Sequence, residues 1–166
     1  MLPLRVILHP TDFSPEAGFA LQVACSLARD YGARLLILHV AQPPVVIYSE
    51  SGMLIPPTAS FRQEALDELH RLELPADVLA ERSLREGEAA ATILQLAEEV
   101  KADLIVMGTH GRTGLGRLAI GSVAEDVLRK AFCPVVTVRN PNAEEHASTR
   151  TSQQGSETSA RSRSSR

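Results

Sequence analysis

Apolar residues along this chain fall into two kinds of run, and the two alternate. Short, nearly unbroken runs at Leu4–His9, Arg34–Val40, Leu104–Met107 and Val135–Val138 read as strands covered on both faces. Ala76–Ser83 alternates apolar and polar residues and reads as a further strand, third in order. Between them lie longer stretches with helical spacing. Ser14 stands at an N-cap, Pro15 at the first helical position and Glu16 in the first turn. Phe19, Val23 and Leu27, with Ala20 and Ala24, form the expected buried stripe of that helix, which Gly32 ends. Further helices are expected over Thr58–Leu72, over Glu88–Val100 with Ile93, Leu96 and Ala97 inward, and over Ser122–Ala131. Ala41–Pro57 carries four prolines and reads as a long irregular connection. Strand and helix alternate throughout, so the expected fold is α/β: one open, doubly wound, Rossmann-like sheet of five parallel strands, order 3-2-1-4-5, with helices on both faces.

The composition changes at Asn140, where a polar tail rich in Ser, Thr, Gln, Glu and Arg begins. The expected division is one folded domain over 1–139 and a disordered tail over 140–166, too polar to offset its chain entropy by burial. The arginines of Arg161–Arg166 are too few for more than a weak, salt-sensitive attraction to anionic surfaces. A net charge of −3 likewise argues against a specific nucleic-acid partner. No apolar run approaches the roughly 20 residues that span a bilayer, and no signal-peptide pattern opens the chain. Cys25 and Cys133, the two cysteines, are expected to be buried as small hydrophobes. A cytoplasmic setting, without membrane partners, is the expectation.

The chemistry concentrates in Gly108–Ser122, a glycine-rich segment between an apolar strand and a helix start. Glycines allow close backbone approach to a ligand, and a helix start offers unpaired N–H groups to phosphate. Two familiar phosphate loops fail here. Gly111–Leu118 has Walker A glycine spacing, but Arg117 replaces the lysine and Leu118 the hydroxyl that binds magnesium. The dinucleotide fingerprint is missing after the first strand, where His9-Pro-Thr-Asp-Phe-Ser14 has no glycine. In a sheet of this order the ends of strands one, two and four converge on one crevice. Asp12 would stand there, either holding ribose or a phosphate-bound metal, or capping a turn with Ser14. His110 either contacts phosphate or faces solvent. His9 and His39 are either a two-histidine metal site or, more in keeping with their strand ends, buried and hydrogen-bonded residues. Arg112 and Arg117 flank the phosphate region, while His70 lies on a solvated helix face and His146 in the tail.

The spacing G-x2-G-x9-G-S, met by Gly108, Gly111 and Gly121-Ser122, completes a pattern with Pro10-Thr-Asp-Phe-Ser14, Leu36-Ile-Leu-His-Val40 and Cys133–Arg139. With these motifs in order, the chain resembles the universal stress protein family, in its ATP-binding branch, over nearly all of residues 2–139. The resemblance implies a stress-response regulator that binds ATP, with Mg, as a nucleotide-dependent switch with weak or no hydrolysis. It places Val40 backbone groups against the adenine edge, with Pro10 and Thr11 lining that pocket and Asp12 on ribose or a phosphate-bound Mg. Met107, Gly108, His110, Gly111, Arg112 and Thr113 would wrap ribose and phosphates. Gly121, Ser122 and Val123 would bind phosphate oxygens. The family's pattern leads one to expect a glycine soon after the third strand, earlier than Gly87. A homodimer through the strand at 135–138 and an unknown protein partner are implied as well. No catalytic residue is identifiable; the alternatives are a slow ATPase or autophosphorylating protein, and a nucleotide-independent dimeric adaptor.

Overall fold

The structure is a computed structural model that describes residues 4–42, 47–49, 52–54, 58–109 and 120–141. The strands are β1 (Val6–Thr11), β2 (Arg34–Ala41), β3 (Ile47–Ser49), β4 (Gly52–Leu54), β5 (Ala80–Glu86), β6 (Leu104–Gly108) and β7 (Val135–Val138). The helices are α1 (Pro15–Tyr31), α2 (Thr58–Arg71), α3 (Ala89–Val100) and α4 (Ser122–Lys130). Five strands form one parallel sheet in the order β5-β2-β1-β6-β7. With the β3–β4 pair set aside this is 3-2-1-4-5, the expected topology.

Neighbouring residues on each strand serve opposite cores. Ile7, Leu35, Ile37, Leu104 and Val106 pack with Leu21, Ala24, Ala28 and Leu69 on the α1 and α2 side. Leu8, Leu36, Leu38, Ile105 and Met107 pack with Ile93, Leu96, Ala97, Ala124 and Val127 on the α3 and α4 side. Two buried faces explain why these strands carry unbroken apolar runs. Ser14 and Gly32 cap α1 as its sequence implies: Ser14 Oγ accepts from Ala17 N at 3.2 Å, and Gly32 has φ +62°.

Several details differ from the sequence pattern. The first strand begins later and runs on through Pro10 to Thr11, and the third is Ala80–Glu86. That shift removes the apparent departure at Gly87, which follows β5 directly with φ +143°. Within the proline-rich connection, Ile47–Ser49 pairs antiparallel with Gly52–Leu54. These strands are three residues each, too short for periodicity to register. The buried stripe of α1 is Ala17, Ala20, Leu21, Ala24, Cys25 and Ala28, while Phe19, Val23 and Leu27 are half-buried at its flank. Small side chains let the helix axis approach the sheet, and the larger ones cover the margin. Cys25 is buried, whereas Cys133 is only partly so. Among the described residues no helix is long and apolar enough to cross a membrane. Residues 142–166, most of the expected tail, lie outside the described residues.

Candidate functional site

The crevice forms where β1 and β6 part. Their pairing comprises Ile7↔Leu104 and Leu8↔Ile105, whereas β1 and β2 stay paired to Thr11↔His39. Beyond Leu8, the end of β1 therefore has a strand neighbour on one side alone. Pro10 sits in this stretch, paired with Leu38 on the β2 side. Alternation puts its nitrogen toward β6, as it does the Val6 carbonyl, which accepts from Asp103 N at 2.9 Å. A proline is tolerated in this central strand because no ladder continues on the side where its N–H is missing.

Into the gap open a cavity of about 180 Å³ and the ends of three strands. That is room for a small organic ligand rather than a lone ion. Pro10, Thr11 and Asp12 come from β1 and the turn after it, Val40 from β2, and Met107 and Gly108 from β6. Gly121, Ser122 and Val123 enter from the start of α4. Every sequence-expected site residue among the described ones thus lines one cavity. His110, Gly111, Arg112 and Thr113 lie outside the described residues. Motif spacing did not point to Ala89 and Ile93 of α3, nor to Leu38, Ala17 and Ala124, which also line the cavity. Thr109, inside the glycine-rich segment, lines it as well.

Local hydrogen bonds set the crevice walls. Asp12 both lines the cavity and holds the turn: its Oδ1 accepts from Ser14 N at 3.1 Å and from Ser14 Oγ at 2.6 Å. Phe13 takes a left-handed backbone with φ +62°, and its N–H donates to Thr11 Oγ1 at 3.1 Å. This turn sets the Phe13 ring against His39, centroids 4.4 Å apart, while the His39 Nδ1 meets the Thr11 carbonyl at 2.8 Å. On the far side the Gly121 N–H donates to the Thr109 carbonyl at 2.8 Å, and the Thr109 N–H donates to the Val138 carbonyl at 3.0 Å. Residues 109 and 121, which bracket the glycine-rich segment, are thereby joined to each other and to the end of β7.

Both histidines are hydrogen-bonded, as their strand-end positions suggest. His9 is fully buried, its Nδ1 2.8 Å from the Val106 carbonyl. A carbonyl only accepts, so Nδ1 carries the hydrogen. Burial pushes the His9 pKa down to about 4, against the opposing pull of that carbonyl and of the Asp12 carboxylate. The ring is neutral at ordinary pH. No group of three or more metal-ligating side chains occurs among the described residues. Burial raises the pKa of both Cys25 and Cys133, which keeps them as thiols rather than nucleophilic thiolates.

Three helices begin around the crevice, and their first turns differ. At α1 the Ser14 hydroxyl takes the Ala17 N–H at 3.2 Å. At α3 the Glu88 carboxylate takes the Ala90 and Ala91 N–H groups at 3.0 and 2.7 Å. At α4 the N-cap is Gly121, which has no side chain to do the same, and among the described residues the helix start carries no side-chain cap. Residues 121–124 line the cavity, so the first turn of α4, whose N–H groups have no partner within the helix, borders the site.

Fold and site together define an open, doubly wound α/β domain with a crevice at its topological switch point. The model of the universal stress protein family matches residues 3–139, and the chain belongs to that family. A universal stress protein of Methanocaldococcus jannaschii is 36% identical over 144 residues, covering 84% of this chain and 85% of the relative. The UspA structure from Lactobacillus plantarum superposes with a TM-score of 0.64 at 23% identity, covering 82% of this chain and 98% of that one. A universal stress protein solved in complex with cAMP gives a TM-score of 0.55 at 25% identity, covering 82% and 97%.

Proposed function

We propose that the crevice binds an adenine nucleotide, that the chain is of the family's ATP-binding branch, and that occupancy acts as a regulatory switch with little or no hydrolysis. The observation that carries this is the start of α4, which lines the cavity with no side-chain cap among the described residues, beside two helix starts that carry one. An anion with several oxygens suits such a turn, because the N–H groups and the helix dipole act together. The base would lie against Val40, Pro10 and Thr11, which line the cavity. Asp12, which lines the cavity, would meet ribose or an Mg carried by the phosphates, which needs one or two protein carboxylates rather than a full cage. The related structure holding cAMP supports an adenine ligand. His110, Gly111, Arg112 and Thr113 complete the proposed phosphate contacts.

The test is to heat-denature freshly purified protein, identify any released nucleotide by chromatography, and titrate ATP with Mg beside cAMP. Bound or titratable ATP is expected. Gly121→Asp, which sets bulk and negative charge at the α4 start, should abolish binding; retained affinity would remove the assignment. Released ADP in place of ATP would favour hydrolysis. A protein that takes up neither nucleotide would leave the adaptor reading. We also propose a homodimer through β7, whose outward Val136 is 38% exposed beside Phe132 at 55%.

A further inference from the structure

His9 and Pro10 together do something that neither does alone. The rungs Ile7↔Leu104 and Leu8↔Ile105 define a register between β1 and β6. Continued by one step in a parallel ladder, it would ask Pro10 to donate to the Val106 carbonyl. Pro10 has no N–H, so the ladder cannot extend. The Val106 carbonyl is not abandoned, however. It accepts from His9 Nδ1 at 2.8 Å, in a place where Val106 and His9 are both fully buried. An imidazole reaching from a side chain is longer than a backbone rung, so it satisfies the carbonyl without drawing the strands together. The residues immediately beyond Val106 are Met107, Gly108 and Thr109, all of which line the cavity.

We infer that His9 is a positioning residue whose Nδ1–H replaces the donor that Pro10 lacks, satisfying Val106 while keeping β1 and β6 apart where the crevice begins. The effect on nucleotide binding rests on the function proposed above; the effect on the strand split does not. His9 does not line the cavity and acts through the backbone of β6.

The experiment compares His9→Leu with His9→Asn. Leucine fills much of the space but cannot donate; asparagine leaves a gap but presents an amide near the Nδ1 position. A donor role ranks asparagine above leucine, and a packing role ranks them the other way. With His9→Leu, the urea midpoint should fall, amide exchange at Met107–Thr109 should quicken, and ATP affinity should drop on the order of tenfold, as when a buried acceptor loses its partner. With His9→Asn all three should stay nearer the native values. Adding Pro10→Ala to His9→Leu returns a backbone donor: the midpoint should recover and a slowly exchanging amide appear at residue 10, while ATP affinity stays low as the split narrows. Nitrogen-15 NMR of the unaltered protein gives a check free of folding defects, with the Nδ1–H tautomer expected.

Leucine outranking asparagine, no recovery in the double variant, or an Nε2–H tautomer would each overturn the inference. Failure of the native protein to take up ATP would remove the nucleotide reading, and the stability, exchange and tautomer results would still decide the role of His9.

Discussion

A methyl group on Gly108 would lie 3.2 Å from the Glu16 carbonyl carbon and 3.3 Å from Ala17 N, both main-chain atoms of the first turn of α1. Neither can swing aside as a side chain can. Gly108→Ala should therefore cost about 1–3 kcal/mol, read as a lowered urea midpoint. His9 makes a prediction in pH. Its folded pKa of about 4 lies below the ordinary 6.5, so the unfolded chain binds the proton more readily. The sign follows: stability from the neutral ring is complete above 6.5 and is lost as pH falls from there to about 4. The loss is on the order of 3 kcal/mol across that window. His9→Asn should flatten this part of the pH profile relative to native protein; parallel profiles would refute the assignment. Ser14 and Gly32 were legible from sequence because capping depends on a few neighbouring residues. The left-handed Phe13 was not, because what holds it is Thr11 in the same turn together with His39 of another strand.

At the scale of elements, the start of α1 joins folding to the site. Ser14 Oγ accepts from Ala17 N and donates to Asp12 Oδ1 at 2.6 Å, so one hydroxyl caps a helix and steadies a crevice carboxylate. Ser14→Ala should lower stability by about 1 kcal/mol, the usual worth of such a cap. It should also weaken ATP binding severalfold through a less ordered Asp12, on the proposed function. Calorimetric titration beside thermal melting separates the two; lost stability with unchanged affinity would show that Asp12 is held without the hydroxyl. The start of α3 at Glu88 was legible, its side-chain cap less so. Glutamate is an unusual N-cap, and Glu88 serves because Gly87, at φ +143°, turns the chain out of β5. A side chain on Gly87 would also meet Thr92 Oγ1 at 2.8 Å.

For the molecule as a whole, the two edges of the sheet contrast. On β5, Glu81, Arg85 and Glu86 form ion pairs with Arg34, Glu99 and Arg62 at 3.1, 2.7 and 2.7 Å. Exposed pairs contribute little stability each, but charges along an edge discourage another strand from pairing there. On β7 the strand residues are uncharged, and Val136 is exposed beside Phe132. If copies associate through β7 as proposed, Val136→Glu should convert a dimer to monomer in sedimentation, while a charge reversal at Glu81 should not. A native protein that sediments as a monomer at micromolar concentration would overturn the proposal.

The order of strands and helices around the five-stranded sheet, the caps of α1 and the glycine-rich segment were determined by the sequence itself. Periodicity, capping and turn chemistry act over a few residues and leave their mark in a linear pattern. The meeting of Asp12, Val40, Met107 and Gly121 also followed once the strand order was inferred, because that order brings particular strand ends together. Three things were decided by tertiary structure alone. The walls supplied by Ala89 and Ile93 depend on how α3 docks against the sheet, and alanine and isoleucine carry no motif. The small-residue stripe of α1 depends on how closely that helix approaches β6. The split between β1 and β6 depends on a register that no single strand encodes: Pro10 withholds a hydrogen bond from Val106, nearly a hundred residues away, and His9 makes it instead.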